Sequence, residues 1–231
     1  MSTQFAFRAN QVTVLMPEDA NVVEGNNSFF TFNTQAAADP VSDAVNNVRF
    51  ACTGFAEHEH GAVLFTLMTR HTFVFQPQAE GLLGTAHAHF LPQGGFSLIA
   101  RKPTWLFGLH GSVLFQISMG MRVRVLAANG DVVFRAFRRH INIFASFVHA
   151  NSVAATSEGA VDADLLDFTR SRSVGIIVVP SDTVEVQARY KVQVFAAGGA
   201  EFLLDFASVA AIGGDPGDGL NAPFAVINIA E

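Results

Sequence analysis

Six of the eight histidines fall between His58 and His110, and four of them form two His-x-His pairs, His58/His60 and His87/His89. Residues two apart on a strand share a face, so each pair offers two imidazoles to one point, as histidine-ligated zinc, copper and iron require. His71 or His110 supplies a further ligand if their strands are neighbours, whereas Glu57 and Glu59 flank the first pair but point to the opposite face. The cupin pattern does not fit, because Val63, Leu64 and Phe65 stand where a ligand carboxylate should follow His58-x-His60. Histidine is also an ordinary residue of half-wet strands. The leading expectation is therefore no cofactor, with zinc or another transition metal at His58, His60, His87 and His89 as the rival.

A second constellation is basic. The chain has twelve Arg but only Lys102 and Lys191, so its positive charge is mostly planar and bidentate, suited to carboxylate or phosphate. Asn129-Gly130 lies between two alternating apolar runs and predicts a hairpin with a type I′ turn. A two-residue loop there sets Ala128 against Asp131 and Arg124 directly opposite Arg135, with Arg122 further along the same outward face. Opposed like charges repel, so the stripe Arg122, Arg124, Arg135 makes sense around an anion or a carboxylate of another subunit. A splayed, solvated set of arginines is the alternative.

The acidic clusters are weaker. Asp162 and Asp164 suit the first turn of a short helix over Val161 to Arg170, with Arg170 and Arg172 near its end, and Asp167 reads as a further surface carboxylate. Asp215 and Asp218 sit in a Gly/Pro-rich loop that could hold calcium, but the oxygen-rich ligand run of a calcium loop is missing. No nucleophile elbow, Walker loop, dinucleotide fingerprint or zincin helix is present, so the reading leans away from an enzyme. Cys52 is the only cysteine, which excludes an internal disulfide and favours a buried inert thiol.

The elements that must carry these residues are strands. Period-two alternation recurs, most clearly over Thr183 to Ala196, where Val184, Val186, Ala188, Tyr190, Val192 and Val194 alternate with polar residues. Ala197-Gly198-Gly199-Ala200 then reads as a hairpin turn into Glu201 to Ser208. In the Asn-Gly hairpin, Val113 to Val125 presents one apolar face. The apolar register of the second arm shifts between Ala136 and Ile141, so a β-bulge is expected near Phe137 to Arg139. Further strands are expected at Gln4 to Val14, Phe29 to Asn33, Asn47 to Glu57, Ala62 to Phe75, Gly84 to Phe90, Phe96 to Ile99, Val174 to Val179 and Ala222 to Ile229. Loops are expected at Met16 to Ser28, Gln35 to Ala44 and Ala211 to Asn221.

This pattern predicts one all-β domain over residues 1–231, an antiparallel two-sheet sandwich of jelly-roll type, with a closed β-barrel as the alternative. Half the residues are apolar and only 15% charged, which supports a large core. No apolar run approaches the roughly 18 residues of a membrane helix, and no secretion signal is readable. No membrane span and a cytoplasmic location are the expectations, with export by a non-classical route left open. A net charge of −6 argues against nucleic acid.

Twenty-three Phe stand against one Trp, Trp105, and one Tyr, Tyr190. Phe fills cores and dry interfaces, while sugar platforms favour Trp and Tyr. The resulting expectation is a non-catalytic structural or binding protein that self-assembles as a homo-oligomer through Phe-rich apolar faces. The rivals are a histidine-ligated metal enzyme and a small-ligand module with Trp105 in its pocket.

Overall fold

The computed structural model describes residues 10–15, 17–29, 34–38, 41–44, 47–56, 62–101, 110–150, 154–161, 168–206 and 219–230. Among them are sixteen strands and no helix. In chain order they are β1 (Asn10–Leu15), β2 (Pro17–Phe29), β3 (Thr34–Ala38), β4 (Val41–Ala44), β5 (Asn47–Arg49), β6 (Ala51–Ala56), β7 (Ala62–Phe75) and β8 (Gly81–Ala100). There follow β9 (Ser112–Leu126), β10 (Val132–His149), β11 (Ala155–Val161), β12 (Phe168–Val178), β13 (Thr183–Ala197), β14 (Glu201–Asp205), β15 (Gly219–Asn221) and β16 (Ala225–Ala230).

They form two antiparallel sheets rather than a closed barrel. One has five strands in the order β10-β9-β13-β7-β2. The other is built around β8, whose first half is flanked by β12 and β16, its middle by β15 and its second half by β11 and β14. Alternation explains how they close on one another. On β13, Val184, Val186, Ala188, Tyr190, Val192 and Val194 all point inward and are fully buried, as are Val113, Phe115, Ile117, Val123 and Val125 on β9. Phenylalanine fills the space between the sheets: Phe50 stacks on Phe206 with centroids 4.9 Å apart, and Phe115 meets Phe96 at 5.5 Å and Phe144 at 5.4 Å. Buried Cys52 lies in the same core, where desolvation pushes its thiol up to about 12.

Several expectations need correction. The stretch expected as a loop at Met16 to Ser28 is largely β2, paired with β7, and Gln35 to Ala44 contains most of β3 and all of β4. Their polar, small-residue composition hides strands that lie toward the sheet margins. The runs expected at Gly84 to Phe90 and Phe96 to Ile99 are one strand, β8. It tolerates Pro92 where only the three-residue β15 pairs alongside.

The expected helix over Val161 to Arg170 begins on the last residue of β11 and ends inside β12, where Phe168, Thr169 and Arg170 pair with Phe90, His89 and Ala88; residues 162–167 lie outside the described residues. Gly198-Gly199 makes no hairpin either. Both glycines have left-handed φ, 68° and 75°, and the turn carries the chain from β13 in one sheet to β14 in the other, where β14 pairs with β6 and β8.

Candidate functional site

The Asn129-Gly130 hairpin forms, but by a different turn. Gly130 N donates to Ala127 O at 2.8 Å and Ala127 N to Asp131 O at 2.9 Å, and Gly130 has φ 84°. This is a three-residue loop, a β-turn closed by a left-handed glycine, in place of the two-residue type I′ turn. Asn129 Oδ1 also accepts from Asp131 N at 3.0 Å. A register shift between Val132 and Phe134 offsets the extra loop residue, so Arg124 still stands opposite Arg135. The bulge expected near Phe137 to Arg139 lies between Arg138 and Ile141.

Register then extends the arginine stripe into a band across the outer face of the five-stranded sheet. One row reads Arg135, Arg124, Glu185, Val74, and the next Phe137, Arg122, Gln187, Thr72. In the third, Arg189 lies opposite Gly120 on β9. On the other side, the pairs Ala188 with His71 and Lys191 with Met68 put Arg189 level with Arg70. Strands β7, β9, β10 and β13 carry Arg70, Arg122, Arg124, Arg135, Arg138, Arg139, Arg189 and Lys191, against one acidic residue, Glu185.

That carboxylate settles Arg124. Nε donates to Glu185 Oε2 at 2.9 Å, and Nη2 donates to the same oxygen. The neutralising group for Arg124 is thus a neighbouring strand of the same chain. Gln187 Nε2 donates to Glu185 Oε2 at 3.2 Å while its oxygen accepts from Arg189 Nη2 at 2.9 Å. Gln187 points outward yet is only 1% exposed, because the long cationic side chains cover it. Arg135 is exposed, and Arg122 packs over the Phe137 ring with Cζ 5.8 Å from the centroid. Burial, then Arg122, Arg70 and Arg124, lowers Arg189 to about 10; burial, then Arg135, Arg124 and Arg70, also lowers Arg122. His140 is pushed below its usual range by burial and by Lys191, Arg189 and Arg170, and its ring fills the notch that Gly120 leaves open.

The same outer face changes character along the strands. Beyond Ser118 and Asn142, hydrogen-bonded at 2.6 Å, comes a row with Gln116, Gln193 and Thr66, and then a wholly apolar row: Phe147, Leu114, Phe195, Leu64. Phe147 is 63% exposed and Phe195 40%.

The histidines separate. His87 and His89 share the outer face of the β8 sheet, at the register of Ser171 and Thr169, and His89 lies against Phe224 with centroids 4.1 Å apart. His71 cannot join them: it faces the core, where Nε2 lies 2.9 Å from Leu220 O. His110 pairs instead with His149, centroids 5.8 Å apart. No group of three or more metal-ligating side chains occurs among the described residues. His58, His60, Trp105, Asp215 and Asp218 lie outside them.

No family model and no curated relative matches the chain. Solved structures to which it is similar include the enzymatically active domain of tailspike protein 4 of bacteriophage CBA120 (10% identity, TM-score 0.20, covering 79% of this chain and 18% of that one). Others are a carbohydrate-binding module in complex with β-1,4-galactotriose (10%, 0.20, 79% and 85%) and infectious bursal disease virus, Gx strain (5%, 0.20, 99% and 43%). The chain thus spans about a fifth of the tailspike domain and under half of the viral chain. Likenesses this distant decide no function; the sandwich is read from its own strands.

Arg70, Arg189 and Gln187 were not singled out from the sequence, whereas His140, with Arg138 and Arg139, continues the basic character of the stripe beyond the bulge. The outward position of Arg189 on β13 was legible. Its proximity to Arg70 depends on the β13–β7 register, which no turn signal encodes.

Proposed function

We propose that this chain is a non-catalytic, single-domain β-sandwich whose role is assembly, associating with further copies of itself through the Phe-bearing end of the five-stranded sheet. The observation that carries the reading is the apolar row Phe147, Leu114, Phe195 and Leu64, which lies across four strands with its two phenyl rings in solvent. Apolar side chains aligned across neighbouring strands make a contiguous patch, and such patches on soluble proteins mark contact surfaces. Beside it runs β10, an 18-residue strand at the end of the sheet. It exposes Val132, Val133, Phe137 and Ile141 as well as Phe147. The apolar positions are interspersed with exposed Arg135, Arg138 and Arg139, which blunt edge pairing along that stretch, so the contact is read at the Phe147 end. A second copy fits, because the patch is matched by itself across a two-fold axis and needs no other partner.

Sedimentation velocity between about 1 and 100 µM, the range in which a modest apolar interface saturates, tests this. The native chain should sediment as a dimer or larger species, and Phe147→Asp with Phe195→Asp should yield a monomer with an unchanged far-ultraviolet spectrum. A native chain that stays monomeric throughout refutes the reading.

A further inference from the structure

The basic band is under-neutralised in a way that register alone does not explain. Glu185 is engaged twice by Arg124 and once by Gln187, so Arg189 receives only an amide oxygen and Arg70 and Arg122 receive no carboxylate among the described residues. Four buried nitrogens in this patch have no hydrogen-bond partner: Arg70 Nε, Arg122 Nε, Arg189 Nε and His140 Nε2. Buried polar atoms left without a partner cost their lost hydration, and a bound water or ion is one way in which they are completed. On β2, the residue at the register of Arg70 is Asn21, and the acidic positions Asp19 and Glu24 stand one row to either side, at the register of Thr72 and Met68.

We propose that Arg70, Arg122 and Arg189, gathered over Gln187 on the outer face of the five-stranded sheet, form a binding site for a tetrahedral oxyanion carrying about two negative charges, a phosphate or sulfate group. Three adjacent guanidinium groups exceed what one carboxylate can balance, and each offers paired N–H donors that match tetrahedral oxygens. Burial first, and then the neighbouring guanidinium groups, lower both Arg122 and Arg189. Gln187 holds Arg189 in place from below, and the Phe137 ring holds Arg122 from the β10 side. Arg124, already paired, closes the site toward Glu185 without taking part.

The site is tested by thermal unfolding in inorganic phosphate and in phenyl phosphate, each against sodium chloride at equal ionic strength. At ten times the dissociation constant, phosphate should raise the midpoint by about 3–6 °C beyond chloride. A shift with both compounds means that the group can be presented on an ester; a shift with inorganic phosphate alone means that a free ion is bound. Arg189→Gln and, as a separate variant, Arg122→Gln should each abolish the difference, and without phosphate each should unfold no lower than the native chain because a repulsion is relieved. Arg101→Gln, which removes the distant pair with Glu201, should retain the full response. Equal midpoints in phosphate and chloride overturn the proposal, as does a phosphate response that survives both Arg189→Gln and Arg122→Gln.

Discussion

Replacing Glu185 by Gln keeps the shape of β13 while removing the one acidic residue of four adjacent strands. Two charges about 4 Å apart at an effective dielectric near 20 interact by about 4 kcal/mol. The Arg124 and Glu185 side chains keep 25% and 14% exposure, so solvent screens part of this. A loss of about 2 kcal/mol lies between exposed pairs, at under about 1, and fully buried ones, at about 3–5. For a chain of 231 residues that is a fall of about 4–8 °C in Tm.

The informative quantity is an asymmetry. Arg124→Gln should cost only about half as much, because Glu185 keeps its bond from Gln187 and because Arg124 itself opposes the charging of Arg122 and Arg189. The double variant should cost less than Glu185→Gln alone, because the repulsion of Arg124 on Arg122 and Arg189 goes with it. Urea unfolding followed by circular dichroism at about 10 mM salt measures all three, and in 1 M salt, with a Debye length of about 3 Å, the differences should shrink. If Arg124→Gln costs as much as Glu185→Gln, the other cations do not feel Glu185, and the picture of an under-neutralised band is wrong.

Two further outcomes follow from buried groups. Cys52 ionises only near pH 12 in the fold, against 9.0 when free, so the folded chain holds a proton that the unfolded chain releases. Stability should fall as pH rises from about 9 toward 12, by about 1.4 kcal/mol at pH 10, a fall absent from Cys52→Ala. Tyr190 is fully buried and its hydroxyl donates to Asn221 O, so Tyr190→Phe should cost about 1–2 kcal/mol in urea unfolding by stranding that carbonyl; an unchanged midpoint would deny the bond.

How much of this was readable beforehand depends on the range of the interaction. Thr183 to Ala197 announced itself through alternation, and so did β9, because period two is a local property that burial on one face imposes. The opposition of Arg124 and Arg135 was also legible, although by a two-residue turn that the chain does not use: the three-residue loop and the register shift at Val132–Phe134 cancel. Strands β2, β3 and β4 were not legible, since polar and small residues there match a loop in composition and pair only because β7, β6 and β5 stand alongside. Gly198-Gly199 illustrates a third limit. Two left-handed glycines specify a sharp turn but not whether the next strand pairs with the last or crosses to the opposite sheet.

The zoning of the outer face joins these observations. Outward positions on antiparallel strands are free of the demands of the core, so their chemistry is independent of the fold unless something outside selects it. Here the choice is not random along the strands: at one end Phe147, Leu114, Phe195 and Leu64 form a row, and amide and hydroxyl side chains come next. At the other end Arg70, Arg122, Arg124, Arg135 and Arg189 crowd together around Glu185, with Asp19 and Glu24 at the β2 margin. Solubility would be served better by mixing charges of both signs over this face and removing exposed phenyl rings. Crowded arginines and an aligned apolar row both cost stability or solubility in the isolated chain, and both become favourable on contact, one with an oxyanion and the other with a second apolar surface. The two zones lie on the same strands, the arginine rows toward the Asn129-Gly130 turn with Phe137 among them, and Phe147 toward the other end of β10.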